Sequence, residues 1–101
     1  MAIIQVSIVP LGTGPSMSQY VARAIKVLQD EKDVTYKLTP MGTIVEGDLD
    51  RALRVLRRMH ESVFGEGVQR VLTTITIDDR RDKKATMASK VSSVRRKLGR
   101  S

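Results

Sequence analysis

The sequence predicts an α+β fold: a ferredoxin-like β-α-β-β-α-β antiparallel sheet with an additional C-terminal helix. Three observations predict it. Period-two alternation of apolar and polar residues recurs over 2–10, 34–39, 43–46 and 69–78. Apolar residues spaced three and four apart recur over about 17–31, 48–63 and 85–98. The order of these stretches is strand, helix, strand, strand, helix, strand, and the split βαβ arrangement has that order. The last helix is extra.

In the first strand Ile4, Val6 and Ile8 alternate with Gln5 and Ser7. One set should meet helices and the other should face away. Leu11-Gly12-Thr13-Gly14-Pro15-Ser16 reads as a loop from its glycine and proline content. Ser16 or Ser18 can cap the helix that follows. That helix has one apolar face, made by Val21, Ala24, Ile25 and Leu28.

The centre of the chain, Leu38 to Asp48, turns it back on itself. Val34, Tyr36 and Leu38 alternate with Thr35, Lys37 and Thr39, and Thr43, Ile44 and Val45 begin the next strand. Between them Pro40-Met41-Gly42 makes a tight antiparallel connection, because proline fixes φ and glycine tolerates φ > 0. This hairpin reads either as a plain structural turn or as the border of a binding site. Asp48 can cap the second helix, whose stripe is Leu49, Ala52, Leu53, Leu56 and Met59. Gly65-Glu66-Gly67 ends it. The fourth strand puts Val71, Thr73, Ile75 and Ile77 on one face and Leu72, Thr74 and Thr76 on the other. The third helix carries a narrow seam of Met87, Val91, Val94 and Leu98.

Two helices on one face leave the other face bare. We place Gln5, Ser7, Thr35, Lys37, Thr39, Thr43, Thr74 and Thr76 there. A surface so rich in hydroxyls suits sheet-to-sheet packing against another subunit, or a hydrogen-bonding ligand surface. The seam of the third helix points to a homo-oligomer, or to a helix closing over its own sheet edge.

A chain of 101 residues makes one domain, 1–101. Aromatics are only 3%, so the core must come from Ile, Val, Leu and Met. There is no cysteine, hence no disulfide framework and no thiolate chemistry, which is compatible with a reducing cytoplasm. The apolar first ten residues alternate as a strand does and lack the basic start of a signal peptide. No apolar run approaches the roughly 20 residues that cross a bilayer. The net charge of +7 invites a nucleic-acid or anionic-membrane reading. The positive residues are spread along helix faces, however, as on ordinary solvated surfaces. Strands one and four have no aromatic residue on which a base could stack, which argues against RNA.

Candidate chemistry is sparse. Gly12-x-Gly14 follows a strand and precedes a helix, yet lacks the third glycine of a dinucleotide fingerprint and the Gly-Lys-Ser/Thr of a P-loop. His60 is the single histidine and reads as a surface residue near a helix C-terminus. Asp78, Asp79 and Asp82 interleave with Arg80 and Arg81, a pattern of internal ion pairs more than of a cation site. No nucleophile has a base beside it, so nothing argues for an enzyme, a catalytic residue, a metal or a resident cofactor.

Several runs together, VSIVPLGTG, SQYVA, YKLTPMGTIVEGD, RVLTTITIDDRRDK and MASKVSSVRRKL, resemble the thiamine-binding protein family, small YkoF-like proteins of ferredoxin-like fold. The resemblance spans Ile4 to Leu98, and PLGTG at 10–14 and PMGT-x-x-EG at 40–47 are its most specific motifs. It implies a cytoplasmic, non-enzymatic protein that binds thiamine or a related pyrimidine or thiazole compound. It also implies dimers pairing into tetramers, with ligand sites near subunit interfaces. Carried onto this chain, the implied site residues are Pro10, Gly12, Thr13, Gly14, Ser16, Ser18, Met41, Gly42, Thr43 and Glu46. Ser7 adds a hydroxyl. Glu46 would accept from the ligand's amino group or face its cation. Met41 would lay its sulfur on a ring. A net positive protein does not attract a cationic ligand at long range, so a local carboxylate must overcome that charge, or the ligand is neutral or phosphorylated.

Overall fold

The computed structural model describes every residue except 13, 15, 16, 66, 83–85, 100 and 101. Strand β1 is Ala2–Pro10, helix α1 Ser18–Gln29, β2 Thr35–Thr39, β3 Gly42–Gly47, α2 Leu49–Val63, β4 Val71–Asp79 and α3 Met87–Leu98. The four strands form one antiparallel sheet in the order β2-β3-β1-β4. This is the expected ferredoxin-like arrangement with its extra helix.

Register follows from the apolar alternation. Ile4 stands opposite Val45 on one side and Ile77 on the other, and Val6 stands opposite Thr43 and Ile75. All six therefore share one face. α1 and α2 cover that face, and the core forms between Ile4, Val6 and Val45 of the sheet, Leu28 of α1, and Leu56 and Met59 of α2. Each buried side chain of this size contributes about 1.5–3 kcal/mol through the apolar surface it removes from water.

Local signals set the ends of the elements. Asp48 has extended backbone angles, and its carboxylate accepts the Arg51 amide at 3.3 Å, as expected of the α2 cap. Thr86 and Ser89 cap α3 reciprocally, each side chain accepting the other's amide. The α1 cap differs from expectation. Ser18 is the first helical residue, and Met17 occupies the cap position without a side-chain bond. Ser16, the other expected cap, lies outside the described residues.

Two expectations about faces need correction, and one strand is less covered than its pattern suggests. Thr43 is not on the bare face: its pairing with Val6 and Leu38 turns it toward the helices, where it is buried. Leu53 is 38% exposed, while Val55 is buried. The buried stripe of α2 thus turns away from Leu53. Ile75 and Ile77 lie on the helix-covered side of the sheet yet remain 42% and 44% exposed. The physical reason is coverage: α1 and α2 pack on each other and do not extend over all of β4, the edge strand.

α3 stands off from this body. Its tie to the sheet is an ion pair between Lys90 and Asp78. None of its residues is buried, and Val91, Val94 and Leu98 are all exposed. The radius of gyration, 15.3 Å, exceeds the about 13 Å of a compact chain this long, consistent with a projecting element. Among the described residues, no helix is long and apolar enough to cross a membrane.

Candidate functional site

A cleft of about 320 Å³ opens at one end of the sheet, on the helix-covered side. The central hairpin builds its outer wall. β2 and β3 are joined by the two residues Pro40 and Met41, and the Thr39 hydroxyl donates to the Gly42 carbonyl at 2.7 Å, which tightens the turn. Gly42 passes close to β1: a Cβ there would stand 2.9 Å from the Val6 carbonyl oxygen, too near for any side chain. This close approach brings the hairpin tip beside the far half of β1.

Val6 and Ile8 form the floor. Ser7 and Val9 border the cleft from the strand, although their side chains alternate toward the other face. Val21, Ala24 and Ile25 of α1 form the opposite wall, Met59 of α2 closes the inner end, and Met17 stands where the chain enters α1. The apolar residues spaced three and four apart on α1 thus serve two purposes. Ala24 belongs to the core, while Val21 and Ile25 are only half-buried because they line this opening. Met17 is partly exposed, and Met41 at the hairpin tip is 81% exposed. Two flexible thioethers therefore flank the cleft, and such side chains adapt to a flat ring.

Among the described residues, none that lines the cleft carries a charge. The main polar feature is Thr43. It is only 6% exposed, and its hydroxyl has no hydrogen-bond partner among the described residues. A buried hydroxyl without a partner costs on the order of 1–3 kcal/mol, so such groups are rare unless something else satisfies them. Here a group entering the cleft can do so. The opening continues over Val21, Ile25 and Leu38 into a shallower depression bordered by Ser18 and Lys26.

The structure brings some of the expected site residues together and separates others. Ser7, Met41, Gly42 and Thr43 all border the cleft. Ser18 borders the adjoining depression. Pro10 is buried at the end of β1, opposite Val71. Gly12 and Gly14 have φ of 82° and 88°, left-handed values that suit glycine in the turn after β1. Thr13 and Ser16 lie outside the described residues.

Glu46 is elsewhere. It pairs with Ile3 and Thr35, so its side chain points to the face of the sheet away from the helices. It is three residues from Thr43, or about 10 Å along the strand. The alternation of β3 could have revealed this, because positions 43 and 46 differ by an odd number. The cleft walls from α1 and Met59 went unassigned because an apolar helical stripe looks the same whether it lines a core or an opening.

Other candidate groups have structural partners. His60 is half-buried and not on the open surface: its Nδ1 lies 2.6 Å from the Thr73 hydroxyl, and its ring meets Phe64 edge-on at 5.3 Å. The carboxylates after β4 pair as expected, Asp82 with Arg80 at 2.7 Å and Asp79 with Arg81 at 2.8 Å. The hydrogen bond from Arg81 holds the Asp79 carboxyl below its ordinary range, partly offset by desolvation. Among the described residues, no cluster of His, Cys, Asp or Glu could hold a metal ion.

Comparison with known proteins agrees with this fold and with the resemblance of the sequence. The thiamine-binding protein family matches residues 4–95. The UPF0045 protein YqgV of Bacillus subtilis is 49% identical over 97% of this chain and 98% of its own. The solved structure of protein MJ1052 from Methanocaldococcus jannaschii superposes with a TM-score of 0.84 at 39% identity, covering 92% of this chain and 94% of the other. A Bacillus cereus domain of unknown function superposes with a TM-score of 0.78 at 31% identity, covering 89% and 86%. The chain belongs to the thiamine-binding protein family.

Proposed function

We propose that the protein is a non-enzymatic, self-associating binder of thiamine or a related pyrimidine or thiazole compound, and that the cleft beside Thr43 receives the ligand. The observation that carries this reading is the buried Thr43 hydroxyl, unpartnered among the described residues, in a cleft with apolar walls. About 320 Å³ lies at the lower end of the roughly 300–1,000 Å³ typical of small-molecule sites. The lining is largely apolar with few polar groups, as in such sites generally. An aminopyrimidine ring both donates and accepts hydrogen bonds, so Thr43 can satisfy it in either sense.

Among the described residues, no carboxylate lines the cleft. A cationic thiazolium therefore belongs at its open end, near Met17 and Met41, where water still solvates the charge. A phosphorylated ligand would extend along the adjoining depression toward Lys26. Pro10, Gly12, Gly14 and Ser18 act in this reading by shaping the loop and the start of α1. Glu46 contributes from the far face only if a neighbouring subunit brings that face to a ligand. The lack of cysteine fits a cytoplasmic setting, and self-association to dimers and tetramers fits the uncovered apolar surfaces.

Calorimetric titration with thiamine, hydroxymethylpyrimidine and thiamine phosphates tests the proposal. Saturable heat with at least one of them is expected, and no heat with any of them refutes it. A Thr43→Val variant should bind roughly two- to tenfold more weakly, the worth of one hydrogen bond. A DNA or RNA titration at low salt should show no binding that falls steeply with added salt.

A further inference from the structure

The surface least explained by the cleft lies on the same face of the sheet, toward its β4 edge. α2 presents Leu53 and, two turns later, His60 on one stripe, and the His60 ring touches Phe64. The contact of His60 with Thr73 sets this stripe alongside β4. Beyond Thr73 on the same face come Ile75 and Ile77. Leu53, Phe64, Ile75 and Ile77 are each 38–44% exposed. They border a trough between α2 and the edge strand, and no described element of this chain fills it.

α3 has the complementary feature. Val91, Val94 and Leu98 form one seam, exposed at 44%, 57% and 67%. From Val91 to Leu98 the seam is about 10 Å long. From Thr73 to Ile77 the trough is about 13 Å long. Charge matches as well. α3 has no acidic residue, and Arg95, Arg96 and Lys97 crowd its last turn. Asp50, one turn before Leu53, stands at one end of the trough, as does Asp79, two residues beyond Ile77 and already paired with Arg81 of its own chain. In its own chain α3 is held the other way. Asp78, its ion-pair partner, points to the opposite face of the sheet from Ile77.

We propose that α3 of one copy seats in the α2–β4 trough of a second copy, its Val91-Val94-Leu98 seam on Ile75 and Ile77 and its basic last turn toward Asp50 and Asp79. This rests on the self-association part of the reading above and assigns it a surface. The exchange covers in the assembly the apolar residues that the single chain leaves wet.

The natural absence of cysteine allows a direct test. One chain carries Leu98→Cys and a second carries Ile75→Cys. Both positions are exposed, so the single chain tolerates them, and circular dichroism checks that each variant keeps its fold. The two are mixed and oxidised. The expected result is a disulfide joining the two different chains, in clear excess over either like pair. A Leu98–Leu98 product in excess overturns the proposal. So does an internal disulfide when both cysteines are placed in one chain and run as a monomer. Sedimentation provides the second measurement. Wild type should sediment as an oligomer, and Val94→Asp with Leu98→Asp should reduce it to a smaller species. A monomeric wild type overturns self-association itself. An oligomer indifferent to both aspartates and lacking the mixed disulfide overturns only the surface assigned here. Ligand titration of the same variants reads the cleft independently of either outcome.

Discussion

Thr43 and Glu46 lie on one strand, and both are buried, at 6% and 8% exposure. Neither side chain has a hydrogen-bond partner among the described residues. They differ in where they point. Thr43 faces the helices and opens into the cleft, while Glu46 faces the bare side of the sheet beside Ile3 and Thr35. The helix side offers a walled space with apolar sides, where one hydroxyl can read a ring. The bare side offers a carboxylate that does not border this cleft. Similar burial on the two faces therefore has different chemical meaning, and four substitutions can break or sharpen the contrast.

The largest effect is expected at Gly42. A methyl group there meets the Val6 carbonyl at 2.9 Å, and two backbones would have to part. Gly42→Ala should lower stability by about 1–3 kcal/mol in denaturant unfolding, the usual cost of overpacking, and should weaken ligand binding with it. Retained stability would mean that the close approach of β3 to β1 is not what shapes the cleft.

Thr43→Val comes next and moves two readouts in opposite directions. Removing an unsatisfied buried hydroxyl should raise the stability of the ligand-free protein by about 1 kcal/mol. The same change should weaken the ligand. If affinity holds while stability rises, Thr43 is a structural residue only. Glu46→Gln keeps the size and shape of the side chain and should change stability little in denaturant unfolding. It should leave ligand affinity unchanged in calorimetry. A marked loss of affinity would move the site to the bare face and restore Glu46 to it, the role that the sequence resemblance implies for this residue.

The smallest effect concerns acid. The Asp79 carboxyl is held below its ordinary range by Arg81. A depressed carboxyl contributes stability that is complete above its ordinary range and is lost as pH falls through its folded value. Arg81→Ala should remove that contribution, so the variant and wild type should converge at the lowest pH in an acid unfolding series. Arg81 is exposed and Asp79 partly so, and the separation at neutral pH should be slight.

The fold was legible because its signals are local. Ile4, Val6 and Ile8 alternate regardless of what surrounds them, and Asp48 caps α2 with a bond three residues away. The site was legible only in part. The PMGT run correctly marks the hairpin beside the cleft, since a proline–glycine turn has few conformations open to it. Thr43 was assigned to the wrong face because the count along β3 depends on how the turn sets its register, and a slip of one residue inverts every side chain. Ile75 and Ile77 were placed on the correct face but their exposure was not foreseen, because the pattern records which face is apolar, not whether a helix lies over it.

By itself, then, the sequence determined the order of elements, the antiparallel hairpin at its centre, the capped second helix and the membership of its family. These depend on residue type and spacing within a few turns or strands. Only the tertiary structure decided that Thr43 lines a cleft while Glu46 does not, that α1 divides its apolar residues between core and opening, and that β4 and α3 keep their apolar surfaces exposed. Each of those depends on how far a helix reaches across a sheet. That distance is set by packing among residues remote in sequence, and no local pattern contains it.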